Sequence, residues 1–164
     1  MPRAAEDYEE IPIHTGGQEW LAAWHPPEAA PSGKPHGSVG ICVSQPARII
    51  LISVDGLTWD FPAGRPEPGE SWEQTLRREV HEEACATVTD ARLLGFCRGE
   101  CVKGHEAGLT LVRSFWHACV ALGEWRPQHE TTQRRLASAS ELLSALPKAF
   151  ERISRRALGE AGLL

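Results

Sequence analysis

Apolar residues recur every fourth position through Trp72, Leu76, Val80 and Ala84, the stripe of a helix that packs one face on a sheet. Ser71 stands just ahead of that stripe and Gln74 three residues later, the spacing of a reciprocal N-terminal capping box. The pattern predicts a helix over Trp72–Ala84. Upstream, Val39–Ser44 and Arg48–Val54 are β-branched runs split by Gln45-Pro46-Ala47, which predicts a hairpin. Thr58–Phe61 alternates and stops at Pro62, predicting a short strand. Downstream, Ala91–Val102 and Leu109–Leu122 flank a glycine-bearing connection and predict an antiparallel pair. Gln133–Leu136 reads as one more short strand. Ser138 and Glu141 repeat the capping-box spacing and open a helix over Glu141–Leu146. A last helix over Lys148–Leu158 places Phe150, Ile153, Ala157 and Leu158 on one face.

Residues 1–38 give a weaker signal. They are expected to be irregular, with an edge strand near Ile11–His14, and the Pro- and Gly-rich stretch His25–Gly37 reads as a loop. Strands and helices do not alternate, so a doubly wound parallel sheet is excluded. The expected class is α+β, with helices packed on a mixed sheet. A length of 164 residues suits a single domain over 1–164.

Composition narrows the partners. At 41% hydrophobic and 24% charged, the chain reads as an ordinary globular protein. A net charge of −5 and the lack of a basic run argue against nucleic acid or a membrane surface as partner. No segment has the length and apolarity of a membrane span, and the acidic start MPRAAEDYEE is no secretory signal. Five cysteines, an odd number, fit reduced thiols and a cytoplasmic location.

The chemistry concentrates in GRPEPGESWEQTLRREVHEEACA, Gly64–Ala86. On a helix, Glu79, Glu82 and Glu83 fall within about a third of the circumference, beside Leu76 and Val80. Glutamates on a helix are ordinarily a solvated face. Crowded next to a buried stripe, however, they raise one another's pKa unless a cation sits among them. Oxygen donors alone select hard cations, Mg²⁺ first and Mn²⁺ second. Gly64 and Gly69, with Pro66 and Pro68, bend the preceding loop and let backbone approach a metal or phosphate.

Written out, the stretch is Gly64, five residues, Glu70, seven residues, then Arg78-Glu79-Val80-His81-Glu82-Glu83-Ala84-Cys85-Ala86. This resembles the Nudix box, G-x5-E-x7-R-E-U-x-E-E-x-G-U, with U aliphatic. Trp59–Gly64 resembles the aromatic-Pro-x-Gly lead-in common in that family. One position departs: Cys85 stands where the box ends in glycine, so either the helix ends differently or Cys85 is strained. The resemblance implies a Nudix fold, an α/β/α sandwich around a mixed sheet. It implies Glu79, Glu82 and Glu83 as divalent-metal ligands, with the Gly64 carbonyl as a further one. It implies Arg78 as an orienting ion-pair partner, Glu70 as a supporting acid, and either Glu79 or Glu130 as general base.

The activity so implied is Mg²⁺-dependent hydrolysis of a nucleoside diphosphate linked to another group. A nucleotide-sensing domain with little turnover is the alternative. The chain lacks the downstream proline of ADP-ribose-hydrolysing members, and its one tyrosine is Tyr8. Both absences lean towards a nucleoside triphosphate or related nucleotide, or an unassigned substrate. The substrate-binding residues stay open, with Trp20, Trp24, Phe61, Trp116 and Trp125 available to stack a base. Arg134 and Arg135 are either a solvated pair or part of a phosphate-binding mouth. The family resemblance also allows a homodimer, though nothing in the chain specifies an interface.

Overall fold

A computed structural model describes residues 3–164. Among them are eight strands: β1 Ile11–Thr15, β2 Gln18–His25, β3 Lys34–Ser44, β4 Arg48–Ser53, β5 Ala63–Gly64, β6 Ala86–Lys103, β7 Thr110–Leu122 and β8 Gln133–Ala137. The helices are α1 Trp72–Ala84, α2 Ala139–Ala145 and α3 Glu151–Glu160. The strands form one sheet in the order β1-β2-β6-β7-β3-β4-β8, with the two-residue β5 pairing β3. β3 and β7 run parallel, and the other neighbours are antiparallel. The sheet is therefore mixed, as expected.

Alternation along the strands divides the core between two faces. Leu76, Val80 and Ala84 of α1 pack with Cys42, Ile50, Ile52, Trp116 and Ala118 on one face. On the other, Leu142, Ile153 and Leu158 of α2 and α3 pack with Ile41, Ile49, Leu51, Trp24 and Phe115. Strand β4 feeds both layers. That is why Ile49 to Ile52 form an unbroken apolar run without polar alternation.

The N-terminal third differs from expectation. The edge strand at Ile11 is present, but β2 is an addition to it, and the segment is a regular hairpin. Gly16 and Gly17, at φ of 58° and 74°, make the two-residue connection that such a hairpin favours. β2 lies between β1 and β6 with both faces partly covered, so its sequence shows no clean period of two. The Pro- and Gly-rich loop is also shorter than expected, because β3 begins at Lys34 against Leu111 of β7.

Two further differences concern extended segments. Of Thr58–Phe61, Asp60 alone bridges a strand, exchanging backbone hydrogen bonds with Ile52. Regular pairing resumes beyond Pro62, at β5. The last helix starts at Glu151, after a 3₁₀ turn over Lys148–Phe150. Among the described residues, no helix is long and apolar enough to cross a membrane.

Helix α1 runs as expected. The Gln74 amide donates to Ser71 Oγ at 3.1 Å, and the Ser71 amide donates to Gln74 Oε1 at 2.8 Å. At its far end Cys85 takes the left-handed conformation, φ 52° and ψ 44°. The helix thus ends as a glycine would end it, and Cys85 bears the strain. Neighbours hold it there. The Gly123 amide donates to the Cys85 carbonyl at 2.8 Å, and Arg134 Nη1 donates to the Ala84 carbonyl at 2.9 Å. Arg134 in turn lies 5.3 Å from the Trp125 ring centre. We expect Cys85→Gly to stabilise the fold by up to about 1 kcal/mol and the β-branched Cys85→Val to cost about 1–2 kcal/mol. Urea unfolding of the two variants checks this.

Candidate active site

Arg78 is the hub of the acidic centre. One edge of its guanidinium clamps Glu70, with Nε 2.8 Å from Oε2 and Nη2 2.9 Å from Oε1. Nη1 donates to Glu79 Oε1 at 2.7 Å and to Glu82 Oε2 at 3.2 Å. Nη2 also donates to the Arg65 carbonyl at 2.8 Å. A single planar fork therefore ties the loop ahead of α1 to two glutamates on its acidic face. These contacts hold the guanidinium proton more firmly than usual, Glu70 contributing most.

Glu70 also accepts from the Glu67 amide at 2.7 Å and the Thr75 hydroxyl at 3.0 Å. Its hydrogen bonds, first of all from Arg78, take its pKa from 4.5 down to about 2. An acid whose folded pKa is depressed stabilises the fold above its unfolded pKa and loses that contribution as the pH falls. The contribution is therefore complete above pH 4.5 and fades towards pH 2. Glu70→Gln is expected to flatten stability over that interval, leaving a smaller difference from the parent at the acid end than at neutral pH, as acid titration of Tm would show.

Glu79 lies directly over Gly64. A Cβ on Gly64 would overlap the Glu79 carboxylate, so a residue with a side chain there would push that carboxylate out of its present place. Burial raises the pKa of Glu79, against the pull of Arg78. Glu83 points the same way and accepts from the Ala63 amide at 2.8 Å. Burial, with the nearby charges of Glu79, Glu130 and Asp60, raises it to about 7. Glu130 is exposed on the loop between β7 and β8, yet close enough to act on Glu83. The neighbouring Thr131 hydroxyl donates to the Glu83 carbonyl at 2.8 Å, pinning that loop to the end of α1.

The structure thus brings together Gly64, Glu70, Arg78, Glu79, Glu82, Glu83 and Glu130. Among the described residues, no three His, Cys, Asp or Glu side chains already form a closed metal cluster; Arg78 holds Glu79 and Glu82 instead. The donor set nevertheless fits a hard divalent cation. It is all oxygen, it includes a partly buried carboxyl driven towards neutrality by burial and then by its acidic neighbours, and the Glu79 carboxylate sits where a side chain on Gly64 would be.

Beside the acids opens a cavity of ≈ 330 Å³, at the small end of ligand pockets. Trp20, Phe61, Phe115 and Phe150 supply aromatic walls, and Asp60, His36, Arg65 and Arg113 supply polar groups. Burial, followed by the charges of Arg113, Arg65 and Lys34, lowers His36 to about 4, so it is neutral at physiological pH. Burial also raises the Asp60 carboxyl. Of the aromatics considered for stacking, Trp20 and Phe61 reach this cavity. Trp24 and Trp116 are core. Arg134 caps α1, and Arg135 lies 5.9 Å from the Trp59 ring centre, so neither lines this cavity.

Asp60, His36, Arg65 and Arg113 are not legible in the sequence as site residues. Arg113 alternates with buried neighbours on β7 as any solvent-facing residue would. Asp60 stands in a recognisable lead-in, which is the one available signal.

The NUDIX domain model matches residues 34–158, and the chain belongs to that family. It is accordingly a hydrolase of the class that acts on phosphoric anhydride bonds. No curated protein matches the sequence. Among solved structures, the pyrophosphohydrolase BsRppH of Bacillus subtilis, in a point-mutant form, superposes with a TM-score of 0.70 at 23% identity, covering 94% of this chain and 98% of that one. The MutT protein of Methanosarcina mazei gives 0.59 at 18% identity over 80% and 98%. The NUDIX domain of Shewanella oneidensis NrtR, complexed with ADP ribose, gives 0.61 at 17% identity over 85% and 94%. At these identities the likeness is one of fold.

Proposed function

We propose that this protein is a Mg²⁺-dependent pyrophosphohydrolase cleaving a nucleoside diphosphate linked to another group, with a nucleoside triphosphate as the leading substrate. The observation that carries this is the complete acidic set around Gly64, organised by Arg78. Gly64, Glu79, Glu82 and Glu83 would hold the cation, and Mn²⁺ suits the same donors. The ion would supply charge neutralisation of the phosphates and an acidified water.

The chain's own groups do the rest. Arg78 Nη1 holds one oxygen of Glu79 and one of Glu82 together and leaves the other oxygen of each free of it. Glu70 fixes Arg78 and takes no direct part. Glu130 has no hydrogen-bond or ion-pair partner of its own among the described residues, and it faces the same acids. It is the carboxylate best placed to take a proton from the attacking water, with Glu79 as the other candidate. Water oxygen bonds to one phosphorus, the bridging P–O bond breaks, and two phosphate-bearing products leave.

Five unpaired cysteines support a cytoplasmic setting. A sensor with little turnover is the second reading, favoured by a fold neighbour that holds ADP ribose. Retention of every charged box position weighs against it.

A phosphate-release assay over nucleoside triphosphates, nucleotide sugars, ADP-ribose and dinucleoside polyphosphates, with and without Mg²⁺, tests the proposal. Metal-dependent turnover lost in Glu82→Gln supports it. Nucleotide binding without turnover in any metal would transfer the protein to the sensor class.

A further inference from the structure

Two arginines lining the cavity have no work within the protein. The side chains of Arg65 and Arg113 make no hydrogen bond or ion pair with any described residue, unlike Arg78 or Arg134, and both are exposed. Lys34 adds a third cation close by. The acids facing this group are few. Asp60 is near enough to feel Arg113 without pairing with it, and Glu106 is taken up by Gln18, whose Nε2 donates to it at 2.8 Å.

Their position is specific. Arg65 directly follows Gly64, and Ala63, on the other side, both lines the cavity and donates to Glu83. Arg113 pairs across the sheet with Gly37. A Cβ on Gly37 would stand 3.0 Å from the Gly64 carbonyl oxygen and 4.0 Å from Arg113 Cγ. The bare Gly37 therefore leaves a gap shared by the Arg113 stem and the backbone of the acidic centre. Arg65 and Arg113 thus line the same cavity as the aromatic walls, and Ala63 joins that lining to the carboxylates through Glu83.

We propose that Arg65 and Arg113 form an anion subsite for the phosphate on the nucleoside side of the scissile linkage, with one nucleoside in the aromatic cavity behind them. The assignment rests on the pyrophosphohydrolase reading of the neighbouring carboxylates. It sets the polarity of binding: the nucleoside points inward between Trp20, Phe61, Phe115 and Phe150, and the leaving group points away. Planar guanidiniums suit this task, since each offers two parallel donors to phosphate oxygens. The cavity has room for one nucleoside, so the second half of a dinucleoside substrate stays outside.

The test uses binding in the absence of metal, followed by tryptophan fluorescence. AMP, GMP, CMP and UMP are each compared with the matching nucleoside. The wild-type chain is expected to bind its preferred monophosphate at least tenfold more tightly than the nucleoside. Arg113→Met and Arg65→Met should each cut that ratio to about threefold or less, with Arg113→Lys recovering part of it. Both positions are exposed, so the fold should survive, and near-ultraviolet circular dichroism verifies this.

A wild-type ratio within twofold, no measurable binding of any monophosphate, or a ratio untouched in the double Met variant would overturn the subsite. Mg²⁺-dependent turnover alongside such a result would leave the hydrolase reading standing without it. A persistent ratio in a chain that hydrolyses nothing would retain the subsite and remove the hydrolase.

Discussion

Glu83→Gln is expected to yield a protein that is more stable without metal and nearly inactive with it. The wild-type carboxylate is partly buried beside Glu79, Glu130 and Asp60, and its one direct hydrogen bond comes from the Ala63 amide. Glutamine keeps that bond through its amide oxygen and removes a like charge from the group. Relief of repulsion and of desolvation should raise stability by about 1–2 kcal/mol, a fraction of what full burial would imply, because water reaches part of the group. The same change removes a metal donor. Activity in saturating Mg²⁺ should fall by about 10²–10³-fold, comparable to losing one strong electrostatic contact in the transition state. Calorimetry in chelator, paired with turnover in Mg²⁺, reads both effects on one preparation. A loss of stability in chelator would show that Glu83 is a structural anchor and not a charge held for a ligand.

Arg78→Met is the second large effect, and it acts on fold and activity together. The methionine stem can fill the space, but Glu70, Glu79 and Glu82 all lose their shared cation. At the wild-type site Arg78 is one-fifth exposed, and Glu79 less so. Removing one member of a largely buried ionic network typically costs about 3–5 kcal/mol when it strands a charge. Here we expect about 3 kcal/mol, the low end of that range, because Mg²⁺-free carboxylates at the rim can reorient towards water. Excess Mg²⁺ should recover part of the lost Tm by neutralising the freed glutamates, while turnover stays about 10²-fold down because their orientation is gone. Arg78→Lys should recover stability better than activity, since an ammonium supplies charge but not a fork. Recovery of full activity by lysine would mean that Arg78 acts through charge alone.

These two residues show what is legible in the sequence and what is not. The roles proposed for Arg78 and the glutamates come from spacing within one continuous segment. Helical geometry converts such spacing directly into shared direction, so α1, its capping box and its acidic face can be read from Gly64–Ala86 alone. The α+β class is legible for the same local reason, through periodicity and turn chemistry. Strand β2 is not, because an inner strand covered on both faces loses its alternation. Cys85 leaves two helix ends open in the sequence; contacts from Gly123 and Arg134 select the left-handed one.

The chain by itself determined that a helix exists over Trp72–Ala84, that one of its faces is acidic, and that this face borders a buried stripe. Only the tertiary structure decided what stands opposite. Arg65, Arg113, His36, Asp60 and the aromatic walls come from strands and loops far apart along the chain. They meet because β3 runs parallel to β7 and α3 adds Ile153 and Ser154 to the cavity lining. Local spacing fixes direction over a few residues, whereas convergence of distant segments depends on how the whole sheet is ordered and packed.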